Sequence, residues 1–154
     1  MRTAVLCVAL VATGCADGVL LPSPAEQSRV EQALALIRTT PERLPIATER
    51  ALGAWFDARV SGVYINDRYP EYEAYRERET GRVFVRADIT TRTIPRLAAT
   101  LLHEARHADT PHTCGLHDRT LDEWGPWAVH AWFLERHGFA DDAASIRYQQ
   151  ICQH

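Results

Sequence analysis

The chain contains the stretch Leu101-Leu102-His103-Glu104-Ala105-Arg106-His107, in which two histidines stand four residues apart. Residues at this spacing lie one above the other on the same face of an α-helix, so His103 and His107 can direct imidazole nitrogens at one point. Glu104 lies beside that point. Two neutral histidines and an adjacent carboxylate are the groups that a hydrolytic zinc site needs. The stretch therefore predicts Zn²⁺ held by His103 and His107, with Glu104 as the base that takes a proton from water.

The residues around this stretch favour a helix with one buried face. Apolar side chains recur there at helical spacing, at Leu97, Ala98, Leu101, Leu102 and Ala105. Such a pattern is typical of an amphipathic helix. Ile94-Pro95 is expected to begin it, because proline is tolerated in a first turn. We favour the metal site over the alternative, which is two surface histidines and a solvated glutamate on an ordinary helix.

Composition indicates one ordinary globular domain. The chain has 154 residues, of which 46% are hydrophobic and 24% charged, enough to bury a sizeable core. The formal net charge is −3 and no basic stripe is present, so nucleic acid is not an expected partner. All seven histidines fall in the last third of the chain. Any chemistry is therefore expected at the C-terminal end.

Residues 1–15 are predicted to be a secretory signal. Arg2 precedes a short apolar run over 4–12, and small residues follow. The apolar run is too short to span a membrane, and the order of charge, apolar run and small residues is that of a signal peptide. We therefore expect the protein to be exported.

Cys15 directly follows Ala12-Thr13-Gly14, which resembles the lipobox of bacterial lipoproteins, although that family usually has leucine where Ala12 stands. The resemblance implies a lipid on Cys15 that anchors the protein to a membrane of the bacterial cell envelope. Residues 16–22 would then be a tether, and 23–154 the single domain. The alternative is ordinary cleavage near Ala16, which gives a secreted protein.

Export affects how the remaining cysteines are interpreted. With Cys7 removed and Cys15 lipidated, Cys114 and Cys152 are left, and a pair in an oxidising compartment is most simply a disulfide. The alternative is Cys114 as a zinc ligand, which would leave Cys152 unpaired.

Periodicity, propensity and capping signals predict a mostly helical α+β domain with a short β-hairpin or small sheet before the motif helix. Ser23-Pro24-Ala25-Glu26 forms a capping box for a first helix that ends near Thr40. The other predicted elements are a helix over about 47–56, strands over 60–66 and 82–87, a polar loop over 68–80, a turn over 88–93, a helix over 121–137 with Trp127, Ala131 and Leu134 on one face, and a last helix over 140–154.

A strand, a short connection and an apolar helix with His-Glu-x-x-His resemble the layout of the zincin metallopeptidases. The resemblance rests on His103, Glu104 and His107, and extends loosely from Val60 to the end. It implies a zinc-dependent peptidase acting on a peptide or protein, with a strand that aligns the substrate main chain by strand addition. By analogy that strand would be 83–87 or 60–66. The residues around the motif also resemble a group of uncharacterised bacterial exported proteins.

A catalytic zinc has three protein ligands and a water, so a third ligand is expected. Thr110 and Thr113 stand where a metzincin has glycine and histidine, so the chain does not follow that pattern. His112 lies one residue out of that register, after an extended turn at Thr110-Pro111, and could fold back to the metal.

The first choice for the third ligand is Glu123, at the start of the following helix, because gluzincins take a glutamate from a later helix. Residues 120–123 also fit a capping box, which would give Glu123 a purely structural role. His112 is the second choice. His117, after Gly115, is a further candidate. Asp122, which precedes Trp124-Gly125, faintly resembles the aspartate ligand region of the aspzincins, but the spacing does not fit and we discount it.

Four residues are candidates for supporting roles. His130 is expected either to pack in the core or to stabilise the oxyanion of a tetrahedral intermediate. His137 is expected to be a packing residue or a cation at a helix C-terminus. Asp109 or Asp118 could orient a ligand histidine by accepting its second N–H.

Together these features predict a zinc-dependent hydrolase, most simply a peptidase. The alternatives are a non-catalytic metal-binding protein with a closed coordination shell and an envelope interaction module with a degenerate motif.

Overall fold

Five α-helices and a three-stranded sheet make up the computed structural model, which describes residues 22–47, 49, 51–67, 70–110 and 125–148. The helices are α1 (Pro24–Thr39), α2 (Leu52–Asp57), α3 (Ile94–Arg106), α4 (Pro126–Arg136) and α5 (Ala140–Tyr148). The strands are β1 (Gly62–Ile65), β2 (Ala74–Arg76) and β3 (Arg82–Val85), and a 3-10 helix, Ala87–Thr91, links β3 to α3. The predicted α+β class, mostly helical with a small sheet before the motif helix, is confirmed.

Helix α1 begins at the predicted capping box. The Ser23 hydroxyl accepts a hydrogen bond from the Glu26 N–H at 3.2 Å, and the Ser23 N–H donates to the Glu26 carboxylate at 2.6 Å. Both bonds satisfy N–H groups that a helix start would otherwise leave without a partner. The helix ends at Thr39, and its buried face is formed by Val30, Ala33 and Ile37. The prediction for this helix is confirmed.

We expect Ser23→Ala to lower the free energy of unfolding by about 1 kcal/mol, because the substitution removes the side chain that caps the helix. Urea denaturation measures the loss. Ser28→Ala, on an exposed turn of the same helix, removes a hydroxyl that accepts only from the Gln32 side chain and is the matched control. An equal loss in both variants would contradict the capping role.

Helix α2 is shorter than predicted, beginning at Leu52 rather than near residue 47. The Ala47 N–H donates to the Leu44 carbonyl across Pro45, which closes a turn there. Ala51 then has an extended backbone, with φ −133° and ψ 148°. Helical geometry therefore starts only after Ala51.

Strand β3 lies at the centre of the sheet. It pairs in parallel with β1, with Tyr64 opposite Phe84, and antiparallel with β2, with Tyr75 opposite the same Phe84. This sheet contradicts two interpretations of the sequence. Segment 83–87 cannot add a substrate strand, because β3 has neighbours on both sides. Segment 68–80 is not all loop, since it contains β2, which is too short and too charged to show an alternating pattern.

Helix α3 is the element that the described fold surrounds. It contacts α1, α4, β2 and β3, and its nine residues from Leu97 to Ala105 are all buried. Burial of Leu97, Leu101 and Leu102 against these neighbours fixes the helix axis and its rotation. The rotation in turn determines where the two histidines point. No helix among the described residues is both long enough and apolar enough to cross a bilayer.

Helix α4 begins at Pro126, five residues later than predicted. Gly125 is extended, with φ −65° and ψ 178°, and precedes the proline as N-cap. Proline is favourable in a first turn, so it starts this helix instead of kinking a longer one. Ala131 and Leu134 are buried as predicted, but Trp127 is 45% exposed and is not part of the core.

Candidate metal centre

The last two turns of α3 bring three potential metal-site side chains together. The Nε2 atoms of His103 and His107 lie 3.2 Å apart. One potential ligand atom from each of His103, Glu104 and His107 lies within 4.8 Å of the other two. His103 and Glu104 are buried and His107 is half-buried. The geometry follows from helical spacing, as the sequence indicates.

The separation of the two nitrogens fits a shared zinc ion. Zinc–nitrogen bonds of about 2.0–2.1 Å in a tetrahedral arrangement place two ligand nitrogens roughly 3.3–3.4 Å apart. The distance between His103 and His107 is close to this range. It also allows a hydrogen bond between the rings when one Nε2 carries a proton and the other does not. A metal ion would replace that hydrogen bond without rearrangement of the helix.

Glu104 is held by the edge strand β2. The backbone N–H of Arg76 hydrogen-bonds to the Glu104 carboxylate, and the Arg76 guanidinium adds a favourable charge. Burial nevertheless dominates and raises the pKa of Glu104 to about 8. The carboxyl group is therefore mostly protonated at neutral pH when no metal is bound. A cation on the neighbouring histidines would favour the charged carboxylate and lower the pKa.

Two residues of α4 lie against His103. The centroid of the Trp127 ring is 4.3 Å from that of His103, in an edge-on arrangement. The ring of His130 is farther away, with its centroid 6.0 Å from that of His103. Trp127 thus forms a wall of the site that is buried on one side and open to solvent on the other.

His130 is uncharged at neutral pH. Burial lowers its pKa to about 4, with the charge of Arg92 acting in the same direction and Asp142 opposing it. A neutral imidazole can still donate an N–H to an oxyanion. His130 lies outside the group formed by His103, Glu104 and His107. Both roles expected from the sequence, packing and oxyanion stabilisation, remain compatible with this position.

His137 is the C-cap of α4 and packs on Phe133, with ring centroids 4.3 Å apart. Burial lowers its pKa, which opposes a positive charge at this helix end. Of the two roles expected for His137, packing is the one that its surroundings favour.

Asp109 does not contact a motif histidine as the sequence suggested. Its Oδ2 atom accepts hydrogen bonds from Arg59 at 2.7 Å and from Arg106 at 2.9 Å. The preference of a carboxylate for guanidinium partners explains the difference. Asp109 anchors the turn after His107, and does not orient an imidazole directly.

The remaining site predictions fall on residues outside the described part of the chain. They concern the third-ligand candidates, the other aspartate that could orient a ligand histidine, the disulfide and the lipid site. These residues are His112, His117, Asp122, Glu123, Asp118, Cys114, Cys152 and Cys15. Each stays a prediction.

Comparison of the chain with protein-family models, curated proteins and solved structures finds no match.

The contacts that surround the motif are not predictable from local sequence patterns. The donor to Glu104 is a backbone N–H, so the identity of Arg76 carries no signal for it. Thr80-Gly81 could have revealed the hairpin, since Gly81 has φ +70° and glycine readily adopts that conformation before a strand. Trp127 was assigned to a core face by spacing alone, because periodicity does not report where a helix begins.

Proposed function

We propose that this chain is a zinc-dependent hydrolase of peptide bonds in which His103 and His107 bind the metal and Glu104 is the general base. The observation that carries the proposal is the 3.2 Å separation of the two histidine Nε2 atoms beside a buried carboxyl group. A structural role explains this group poorly, because burial of an ionisable carboxyl group is costly to folding. A cation beside it offsets that cost.

The roles of the residues follow from their chemistry. Zinc supplies Lewis acidity, which lowers the pKa of water to about 7 and polarises a carbonyl group. Glu104 would accept a proton from water at a carboxylate oxygen and deliver it to the leaving amine. The Arg76 N–H holds that carboxylate in place during both transfers.

The choice of a peptide substrate is supported by strand β2, which is an edge of the sheet beside α3. The Glu77 N–H bonds to the carbonyl of Arg82, and the Glu73 carbonyl accepts from the N–H of Arg86, so the alternate residues Ala74 and Arg76 present their backbone groups away from β3. The Arg76 N–H bonds to Glu104, which leaves the Arg76 carbonyl and both backbone groups of Ala74 facing outward. An extended peptide could add there. The zincin resemblance points to the same mode of binding, with β2 in place of the strands suggested by the sequence.

Export and lipid anchoring belong to the same proposal. They are supported by the sequence of residues 1–15, with Cys15 as the lipid site, and place the enzyme in the bacterial cell envelope. The expected partners are a peptide or protein substrate and the membrane.

The first test is the metal content of the purified chain by elemental mass spectrometry. We expect about one zinc per chain, and none in the double variant His103→Ala/His107→Ala, because that variant lacks two of the three protein ligands that a catalytic zinc needs. His137→Ala removes a histidine of α4 from outside the cluster and should retain the zinc. Absence of zinc from the wild-type chain after growth and purification with added metal would refute the proposal.

Inhibition distinguishes an open site from a closed one. A hydroxamate should inhibit peptide hydrolysis by occupying the coordination position that substrate uses. A zinc-loaded chain that binds no hydroxamate and cleaves no peptide would be a closed metal-binding protein.

A further inference from the structure

Arg59, between α2 and β1, is held on several sides at once. Its Nε donates to Asp109 at 2.7 Å, and its Nη1 donates to Glu49 at 2.8 Å and to the Trp55 carbonyl at 2.9 Å. The guanidinium also lies 4.6 Å from the centroid of the Trp55 ring. Its side chain is only 18% exposed. Arginine supplies this geometry because its planar fork presents several donors in fixed directions, which lysine cannot do.

The side chain of Arg59 reaches the turn that follows the metal-binding helix. His107 is the C-cap of α3, and Asp109 comes two residues later. Local hydrogen bonds to the carbonyls of Ala105 and Arg106 close this turn. Those bonds link the turn to its own helix, whereas the Arg59–Asp109 pair links it to a different part of the fold. The packing of α3 sets the direction of its axis, and this pair adds a link from the turn just after His107 to the segment between α2 and β1.

The backbone of Arg59 reaches the other half of the site. Its carbonyl accepts hydrogen bonds from Arg76, at 3.3 Å from Nε and 3.0 Å from Nη2. The backbone N–H of the same Arg76 bonds to the Glu104 carboxylate. One residue thus connects to the helix end that carries His107 and to the strand that holds Glu104.

We propose that Arg59 is a positioning residue of the site and holds the end of α3 that carries His107 and the strand whose N–H bonds to Glu104 relative to each other, through Asp109 and Arg76. The inference rests on the proposed function. Groups that surround metal ligands commonly contribute a factor of about 10–100 to metal affinity. They do so by holding the ligands in the bound geometry before the ion arrives.

The test uses Arg59→Met, which keeps an unbranched side chain at this position and removes all the donors. We expect its zinc affinity, measured by competition with a chromophoric chelator, to fall about 10–100-fold. We also expect the visible absorption bands of the Co²⁺-substituted protein to shift, since they report coordination geometry and not fold stability. Arg59→Lys should give an intermediate affinity, because it retains the charge without the fork.

Two further variants make the result decisive. Arg38→Met breaks an exposed ion pair with Asp57 on α2 and should leave zinc affinity and the Co²⁺ bands unchanged. Asp109→Asn weakens the same ion pair by removing the charge of its other partner. It tests the effect of the pair on zinc affinity if Arg59→Met does not fold. Its effect should be non-additive with that of Arg59→Lys, because both weaken one contact.

The outcomes separate the two proposals. Wild-type zinc affinity and wild-type Co²⁺ bands in the folded Arg59 or Asp109 variants would overturn the positioning role while leaving the zinc hydrolase intact. A wild-type chain that binds neither Zn²⁺ nor Co²⁺ would overturn both proposals.

Discussion

Glu104→Gln should retain the zinc content of the wild-type chain and lose roughly 10²–10⁴-fold in turnover, the contribution typical of a general acid–base group. Glutamine has nearly the same shape and can accept the Arg76 N–H through its side-chain oxygen, so the local packing is preserved. It cannot accept a proton from water at neutral pH. The loss should therefore appear in kcat rather than in metal binding.

The measurement is hydrolysis of a peptide library by zinc-loaded samples whose metal content is determined in parallel. Glu31→Gln, an exposed position on α1, is the matched control and should behave like the wild type. Full activity in Glu104→Gln with zinc bound would exclude Glu104 as the base. Loss of zinc together with activity would instead assign Glu104 to metal binding.

The second large effect is on the stability of the metal-free protein as a function of pH. Burial raises the pKa of Glu104 to about 8 from an ordinary value of 4.5. Below pH 4.5 the carboxyl group is protonated in both folded and unfolded chains and costs nothing. As the pH rises from 4.5 to 8 the unfolded chain ionises first, so the free energy of unfolding falls, by an amount on the order of a few kcal/mol.

Urea denaturation in the presence of a chelator, at pH 5 to pH 8, measures this loss. Glu104→Gln has no group to ionise, so the difference between wild type and variant isolates the contribution of Glu104. This comparison with Glu104→Gln is needed because His130 acts in the opposite direction. Its pKa is lowered from 6.5 to about 4 in the folded chain, so it makes the free energy of unfolding rise with pH between those two values. The window from pH 6.5 to pH 8 is therefore the clearest.

Zinc should reverse the loss, because a cation beside the carboxylate favours its charged form. If wild type and Glu104→Gln show parallel pH dependence without metal, the carboxyl group is not held in the buried environment that the site requires.

Local patterns in the sequence were sufficient for the elements whose signals are local. The Ser23 capping box, the proline at the start of α3 and the apolar spacing from Leu97 to Ala105 each depend on residues within a few positions of one another. The arrangement of His103, Glu104 and His107 is local in the same sense, since one helix carries all three. These parts of the prediction agree with the structure.

The errors concern interactions between distant parts of the chain. Strand β2 has three residues and exists because β3 offers it a partner, so segment 74–76 has no strong pattern of its own. Helix α4 begins at Pro126 because Gly125 is extended, which the periodicity of Ala131 and Leu134 does not report. Arg59 becomes part of the site only when the fold brings Asp109 and Arg76 to it. Among 17 basic residues, nothing in the sequence distinguishes it.

The hydrogen bond from strand β2 to Glu104 has a consequence for how this site can vary. The donor is the main chain, so almost any side chain at position 76 would preserve it, and only proline lacks the N–H. The bond does depend on the register in which β2 pairs with β3. A shift of β2 by one residue would replace the N–H that faces Glu104 by an N–H that faces β3. The hydrogen bond to Glu104 is thus kept by most substitutions at position 76, whereas the link from that residue to Arg59 needs the guanidinium of Arg76. An insertion or deletion in the turn between β2 and β3 would change this register and break the bond, although it alters neither Glu104 nor Arg76.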